Sequence, residues 1–80
     1  MAHYDGIFGE TPGRITVTET GGVYEATPHI VEGGVPTPLP RLRGGATSVR
    51  SSSEAGAVEA AALALESRYG PRAGALKKVD

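Results

Sequence analysis

The glycine pair Gly21-Gly22 stands between two runs of alternating apolar and polar residues in "GRITVTETGGVYEATPH", residues 13–29. Two-residue hairpin turns need positive φ angles that glycine adopts without steric cost, so this pattern predicts a β-hairpin. A turn at these glycines sets four cross-strand pairs: Thr20 with Val23, Thr18 with Glu25, Val17 with Ala26, and Thr16 with Thr27.

This register separates the hairpin side chains into two faces. The apolar face holds Ile15, Val17, Tyr24 and Ala26, and the threonines lie with Glu25 on the other. Pro28 has no N–H to give to a ladder and is therefore expected to end the second strand.

A helix is predicted over residues 51–69, "SSSEAGAVEAAALALESRY". Ser51 with Glu54 matches a capping box, Ser53 is an alternative N-cap, and Gly70-Pro71 is typical of a helix end. An apolar stripe at spacings of three and four contains Ala55, Val58, Ala62, Leu65 and Tyr69. Its small side chains would allow the helix to pack closely on a sheet.

Shorter strand patterns occur in "AHYDGIF", with Tyr4 and Phe8 expected to point inward, and in "GATSVR" before the helix. Residues 71–80 are expected to be a frayed tail. Together these elements predict one α+β domain over residues 1–80. It would consist of a three- or four-stranded antiparallel sheet with one C-terminal α-helix packed on one face.

Residues 31–45, "VEGGVPTPLPRLRGG", form a Gly/Pro-rich segment. Alternating prolines forbid a helix and favour an extended, polyproline-like arm, and loops of this length are usually functional or disordered. Its candidate partner-binding residues, extended by the nearby Arg50, are Leu39, Arg41, Leu42, Arg43 and Arg50. The alternative is a mobile charged loop with no partner.

Charge is unevenly distributed along a chain whose formal net charge is −1. Residues 1–40 hold five acids and one base, whereas residues 41–80 hold four acids and seven bases. The acidic candidates for contact with a basic surface of a partner are Glu10, Glu19, Glu25 and Glu32. The basic set above is the competing candidate.

No recognisable catalytic motif, metal-ligand spacing or cofactor motif appears. The chain has no cysteine, its two histidines are far apart in sequence, and its glycine-rich stretches match no phosphate-binding loop. We therefore expect a non-enzyme without metal or cofactor, although Glu25 with His29 stays a remote acid/base alternative. Neither a leader pattern nor a membrane-spanning pattern is recognised, so a soluble, cytoplasmic protein is expected.

Residues 13–69 resemble the HicB-like antitoxin module. The resemblance rests on "ITVTETGGVYEATP", with Tyr24, Ala26 and Pro28, and on "SSSEA" at the start of the helix. It implies a degenerate RNase-H-like sheet without catalysis, which occupies another protein's active or nucleic-acid site. The chain departs from the family in its longer Gly/Pro segment and in lacking the Gly-Asp word. With residues 71–80 alone after Gly70, transcriptional autoregulation through a second, DNA-binding domain is not expected.

Small phage inhibitors, including anti-CRISPR proteins, are similar in size and single-domain build. The predicted function is thus a non-catalytic inhibitor or antitoxin-like protein that occludes a site on a nuclease, a toxin or a nucleic-acid-binding complex. The alternative is a small nucleic-acid-binding module that uses the basic C-terminal half. The sequence leaves open whether a second copy covers the polar hairpin face in a homodimer.

Overall fold

The computed structural model describes residues 2–32, 35–38 and 48–79, which form an antiparallel sheet with one helix on one face. This confirms the predicted α+β class. The elements are β1 (Ala2–Phe8), β2 (Thr11–Thr20), β3 (Val23–Glu32), β4 (Val35–Pro38), β5 (Val49–Ser51), α1 (Glu54–Tyr69) and β6 (Lys77–Lys78). The sheet order is β4-β3-β2-β1-β6, and β5 also pairs with β3. Three long strands therefore form the body of the sheet, and short strands line both of its edges.

The β2–β3 hairpin has the predicted register, including the pairs Val17 with Ala26 and Thr18 with Glu25. Gly21 and Gly22 have φ angles of 58° and 83°. Positive φ at both turn residues is the type I′ geometry, which matches the twist of the two strands.

Pro28 does not end β3, and the sequence prediction was wrong here, because β3 continues to Glu32. A two-residue turn makes the pair next to it hydrogen-bonded, and hydrogen-bonded and open pairs then alternate along the ladder. Counted from the turn, the pair of Pro28 with Ile15 is one of the open pairs, so Pro28 does not have to donate a backbone hydrogen bond to β2. Its nitrogen points to the opposite edge of β3. On that edge Pro28 falls between the residues that pair with β5 and those that pair with β4, so its missing N–H breaks no ladder.

The core lies between α1 and the sheet. Its buried members are Phe8, Ile15, Val17 and Ala26 from the strands and Ala57, Val58, Ala61, Ala62 and Leu65 from the helix. The predicted stripe is confirmed at Val58, Ala62 and Leu65, but Ala55 is exposed. Alanines at the contact let the helix approach the strands closely, and Phe8 and Leu65 fill the remaining volume.

The helix begins at Glu54, later than predicted, because Ser51 belongs to β5. Ser53 is the N-cap, and its Oγ accepts a hydrogen bond of 3.0 Å from the Gly56 N–H. Gly70 ends the helix as predicted, with a φ of 126° and its N–H donating to the Glu66 carbonyl at 2.9 Å.

The turn between β1 and β2 packs against the end of α1. Gly9 has a φ of 65° and its N–H donates to the Pro71 carbonyl at 2.9 Å. A Cβ at this position would lie 2.3 Å from the Tyr69 carbonyl oxygen. Glycine is therefore required here both by conformation and by contact.

The segment after α1 is not frayed, and that prediction was wrong. Its backbone follows β1, with the Ala73 N–H donating to the Ile7 carbonyl at 2.8 Å and the Val79 N–H donating to the His3 carbonyl at 2.9 Å. Arg72 fixes its start by donating to Glu66 at 2.7 Å and also to Glu59. These contacts hold residues 72–79 against β1 and α1.

The Gly/Pro-rich segment is in part a strand, which corrects the expected polyproline arm at these positions. Val31 and Glu32 end β3, and Val35–Pro38 form β4 beside it. At a sheet edge, proline removes an N–H that an inner strand would need, so the edge is where such a strand is tolerated. Residues 33–34 and 39–47 lie outside the described part of the chain.

Within residues 2–32, 35–38 and 48–79, no helix combines the length and apolar character needed to cross a membrane.

Candidate functional site: the open sheet face

The surface of the sheet opposite α1, here called the open face, carries the most distinctive grouping of side chains. Strand alternation places on it His3, Asp5 and Ile7 of β1, Pro12, Arg14, Thr16, Thr18 and Thr20 of β2, and Val23, Glu25, Thr27, His29 and Val31 of β3. Arg50, Lys77 and Val79 extend it on the flanking segments. No described element packs over this surface, because the single helix lies on the other side.

Exposed apolar side chains concentrate at the margin of the open face. Ile7, Val23 and Val79 are 41%, 46% and 40% exposed, and they are three of the four large hydrophobic residues that the described part leaves exposed. The fourth, Leu63, lies on the outer side of α1 at 56%. Ile7 lies opposite Pro12 and Val23 lies opposite Thr20, at opposite ends of the sheet, so a partner would bury both only by covering the whole length of the face.

One ion pair lies across β1 and β2 on this face. Arg14 donates to both carboxylate oxygens of Asp5, from Nε at 2.7 Å and from Nη2 at 3.0 Å. This hydrogen bonding is the main reason why the pKa of Asp5 is lowered, and the positive charges of Arg14 and Lys77 add to the effect. The bidentate geometry also fixes the orientation of the Arg14 side chain.

A second paired group joins β3 to β5. The Glu25 carboxylate accepts hydrogen bonds from the Ser48 hydroxyl and from Nε of Arg50, each at 3.0 Å. The bond from Ser48 first, and then that from Arg50, lower the pKa of Glu25. The acid from one predicted binding set and the base from the other are thus partners in one ion pair.

The two histidines lie on this face on either side of β2, and their partner positions on β2 are two residues apart. His3 Nδ1 is 3.1 Å from the Thr16 hydroxyl, and His29 lies opposite Arg14. His29 Nδ1 is buried without a hydrogen-bond partner in the described structure. Glu25 and His29 are four residues apart on one strand, roughly 13 Å at the usual rise. The acid/base pair considered from the sequence is therefore not assembled.

The predicted acidic set does not form one patch. Glu10 lies in the β1–β2 turn, and Glu32 ends β3 at the same end of the sheet. Glu19 lies near the opposite end and on the helix side, where its Oε2 accepts from the Gly22 N–H at 2.7 Å. Glu25 lies on the open face. Of the arm and basic set, Arg50 is on this face, and Leu39, Arg41, Leu42 and Arg43 lie outside the described residues.

A polar cluster on the helix side was missed by the sequence reasoning. The Tyr4 hydroxyl donates to Glu54, and Lys78 approaches the same carboxylate at 3.4 Å while lying 5.7 Å above the Tyr4 ring. The hydrogen bond to Glu54 is the main reason why the pKa of Tyr4 is raised. A raised pKa keeps this phenol protonated, which suits a structural link between β1, α1 and β6 better than a nucleophile. No sequence motif signals the cluster, because its members are distant along the chain.

The aromatic residues all lie on the helix side. The chain contains three tyrosines and one phenylalanine, and Tyr4, Phe8, Tyr24 and Tyr69 all belong to the core or pack against it. In the described part of the chain, the imidazoles of His3 and His29 are therefore the rings that the open face offers for stacking with a nucleic-acid base, and no tyrosine or phenylalanine adds to them. Among the described residues, no three His, Asp or Glu side chains come together to hold a metal ion.

Comparison of the chain with protein-family models, with curated proteins and with solved structures found no match in any of the three.

Proposed function

We propose that this chain is a non-catalytic binding protein that docks through the open face and occludes a functional site of another protein. The observation that carries the proposal is that, among the described residues, no second layer covers β1, β2 and β3 and that Ile7, Val23 and Val79 are exposed at the margin of this face. A partner that covered the whole face would bury these apolar side chains, and their removal from water would favour the complex.

The two outer strands favour docking by the face over docking by an edge. β4 contains Pro36 and Pro38, and β6 consists of Lys77 and Lys78. Proline and lysine on short edge strands are devices by which proteins discourage strand addition from another chain. A partner is therefore expected to meet side chains of the open face and not the backbone of an edge.

The target class follows the resemblance to the HicB-like module and to small phage inhibitors. A toxin, a nuclease or a nucleic-acid-binding complex would lose activity when a flat protein surface covers its site. The described open face carries three cations, Arg14, Arg50 and Lys77, against Asp5 and Glu25, which is close to neutral. We therefore propose recognition through shape and hydrogen bonding, with long-range charge as a minor contribution.

The test is affinity capture from a lysate of the native host, with the purified protein as bait, at physiological and at high salt, with and without nuclease. A stoichiometric protein partner should survive nuclease treatment. Thr27→Arg, at the centre of the open face, should abolish capture, whereas Leu63→Arg on the outer side of α1 should retain it. Added wild-type protein should then inhibit the captured target's own activity.

Two outcomes would overturn the proposal. Equal capture by Thr27→Arg and Leu63→Arg would remove the open face from the interaction. Recovery of nucleic acid alone, with affinity that falls steeply as salt rises, would instead support the nucleic-acid-binding alternative.

A further inference from the structure

We infer that, in the free protein, a second copy of this chain covers the open face. The two sheets would pack against each other with the helices outside, about 10 Å apart as in other face-to-face sheet pairs. The inference rests on the proposed function in one respect: the same face binds the target, so the second copy and the target compete.

The open face is large enough for a weakly associating dimer. β2 and β3 have ten residues each, which gives a length of roughly 33 Å at the rise of an antiparallel strand. β1, β4 and β6 are shorter, so the five strands contain 33 residues in all. At the usual rise and strand spacing they give a flat area of roughly 540 Å², to which the relief of the side chains adds. Standard interfaces bury about 800 Å² per partner and weak ones bury less, so the face is large enough for a weak dimer.

The charges of the open face favour a like partner over a strongly charged one. Asp5 is paired with Arg14, and Glu25 with Arg50, within each copy. In a twofold dimer the same patch meets itself, so an unpaired charge cluster would repel its own copy. Internal pairing removes most of that repulsion, and it also leaves little charge to select an acidic or a basic partner.

The distribution of apolar and polar residues over the open face determines how tightly the two copies are expected to bind. Ile7, Val23 and Val79 gain by being covered, but threonines occupy the centre of the face. An interface with so polar a centre is typical of complexes that dissociate on dilution, in contrast to the apolar interfaces of obligate dimers. We therefore expect a dissociation constant of about 1–100 μM.

Analytical ultracentrifugation of the purified wild-type protein alone tests the inference. The mass should rise from 8.2 kDa towards twice that value over about a thousandfold increase in concentration that spans this range. Thr27→Arg should stay monomeric throughout, and Leu63→Arg should associate as wild type does. Because Thr27 is half-buried, Ile7→Arg at an already exposed margin position gives a second open-face variant, and circular dichroism should show that each variant is folded.

A wild-type protein that stays at 8.2 kDa over the whole range would overturn the inference. Dimers that persist in a folded Ile7→Arg or Thr27→Arg, or that are lost in Leu63→Arg alone, would place the contact elsewhere and overturn it as well. Failure of the proposed function looks different, because it appears as loss of target capture and leaves self-association unchanged.

Discussion

The contact between the β1–β2 turn and the end of α1 yields a quantitative prediction, in which Gly9→Ala is compared with Gly21→Ala. The two glycines have nearly equal φ angles, 65° and 58°. A Cβ at Gly9 would lie 2.3 Å from the Tyr69 carbonyl oxygen and 3.2 Å from its carbon, whereas a Cβ at Gly21 would meet nothing within 4 Å. Gly21→Ala is therefore a matched control that shares the backbone strain and lacks the collision.

The expected losses in the free energy of unfolding follow from two contributions, the backbone strain and the collision of the added Cβ. An alanine in the left-handed region costs about 1–2 kcal/mol, and this is the whole expected loss for Gly21→Ala. Forcing an extra methyl into a packed contact adds about 1–3 kcal/mol, which brings the expected loss for Gly9→Ala to about 2–5 kcal/mol. The gain from a less flexible unfolded chain is common to both variants and cancels in the comparison. For 80 residues the total free energy of unfolding is about 4–12 kcal/mol, so Gly9→Ala should remove a large part of it.

Equilibrium urea unfolding, followed by circular dichroism, measures both losses from the midpoint and the slope. Gly9→Ala should unfold at clearly lower urea than Gly21→Ala, with similar slopes. Losses that agree within about 0.5 kcal/mol would refute the close approach of Gly9 to the helix end, because the strain term alone would then explain both.

Three further changes test other parts of the structure. Ser53→Ala removes the N-cap and should lower the free energy of unfolding by about 1 kcal/mol in urea titrations, whereas Ser52→Ala, which removes no described hydrogen bond, should change it by less than about 0.5 kcal/mol. Leu65→Ala empties a fully buried position and should cost about 2–5 kcal/mol in the same assay; a loss below about 1 kcal/mol would contradict its place in the core. Asp5→Asn should lower the thermal midpoint at pH 7, and the difference from wild type should shrink as the pH falls below about 4. The sign follows because Arg14 lowers the pKa of Asp5 in the folded state, so the pair stabilises the fold above the unfolded pKa and this contribution is lost as the carboxylate is protonated. A difference that is constant between pH 7 and pH 2 would show that the ion pair does not act in solution.

The parts of the fold that local patterns determine were predictable. The β2–β3 register follows from the Gly21-Gly22 turn and from alternation over a few residues, and the helix end follows from Gly70 and Pro71. The misread parts depend on distant segments. Whether Pro28 interrupts a ladder depends on where β4 and β5 pair along β3. Whether residues 72–79 are ordered depends on their pairing with β1, which is distant in the sequence.

The candidate site could be predicted only in part, for the same reason. The polar side of the hairpin, with its threonines and Glu25, was identified from alternation. His3, Asp5 and Ile7 also belong to this face, but they could be assigned to it only if the register between β1 and β2 were known. The pairing of Glu25 with Arg50 required β5 to lie beside β3, so a count of charges along the chain treated two partners as competing sets.

The two-residue strand β6 has a consequence for local stability. It covers the outer edge of β1 with few ladder contacts and two exposed lysines, and segments of this kind open more often than the sheet they protect. Amide hydrogens of residues 72–79 should therefore exchange with solvent well before those of the inner strand β2. Each such opening exposes the edge of β1 for a short time while the β1–β3 core stays folded. Resistance to strand addition at this edge is thus governed by how quickly the last few residues return, and much less by the global free energy of unfolding.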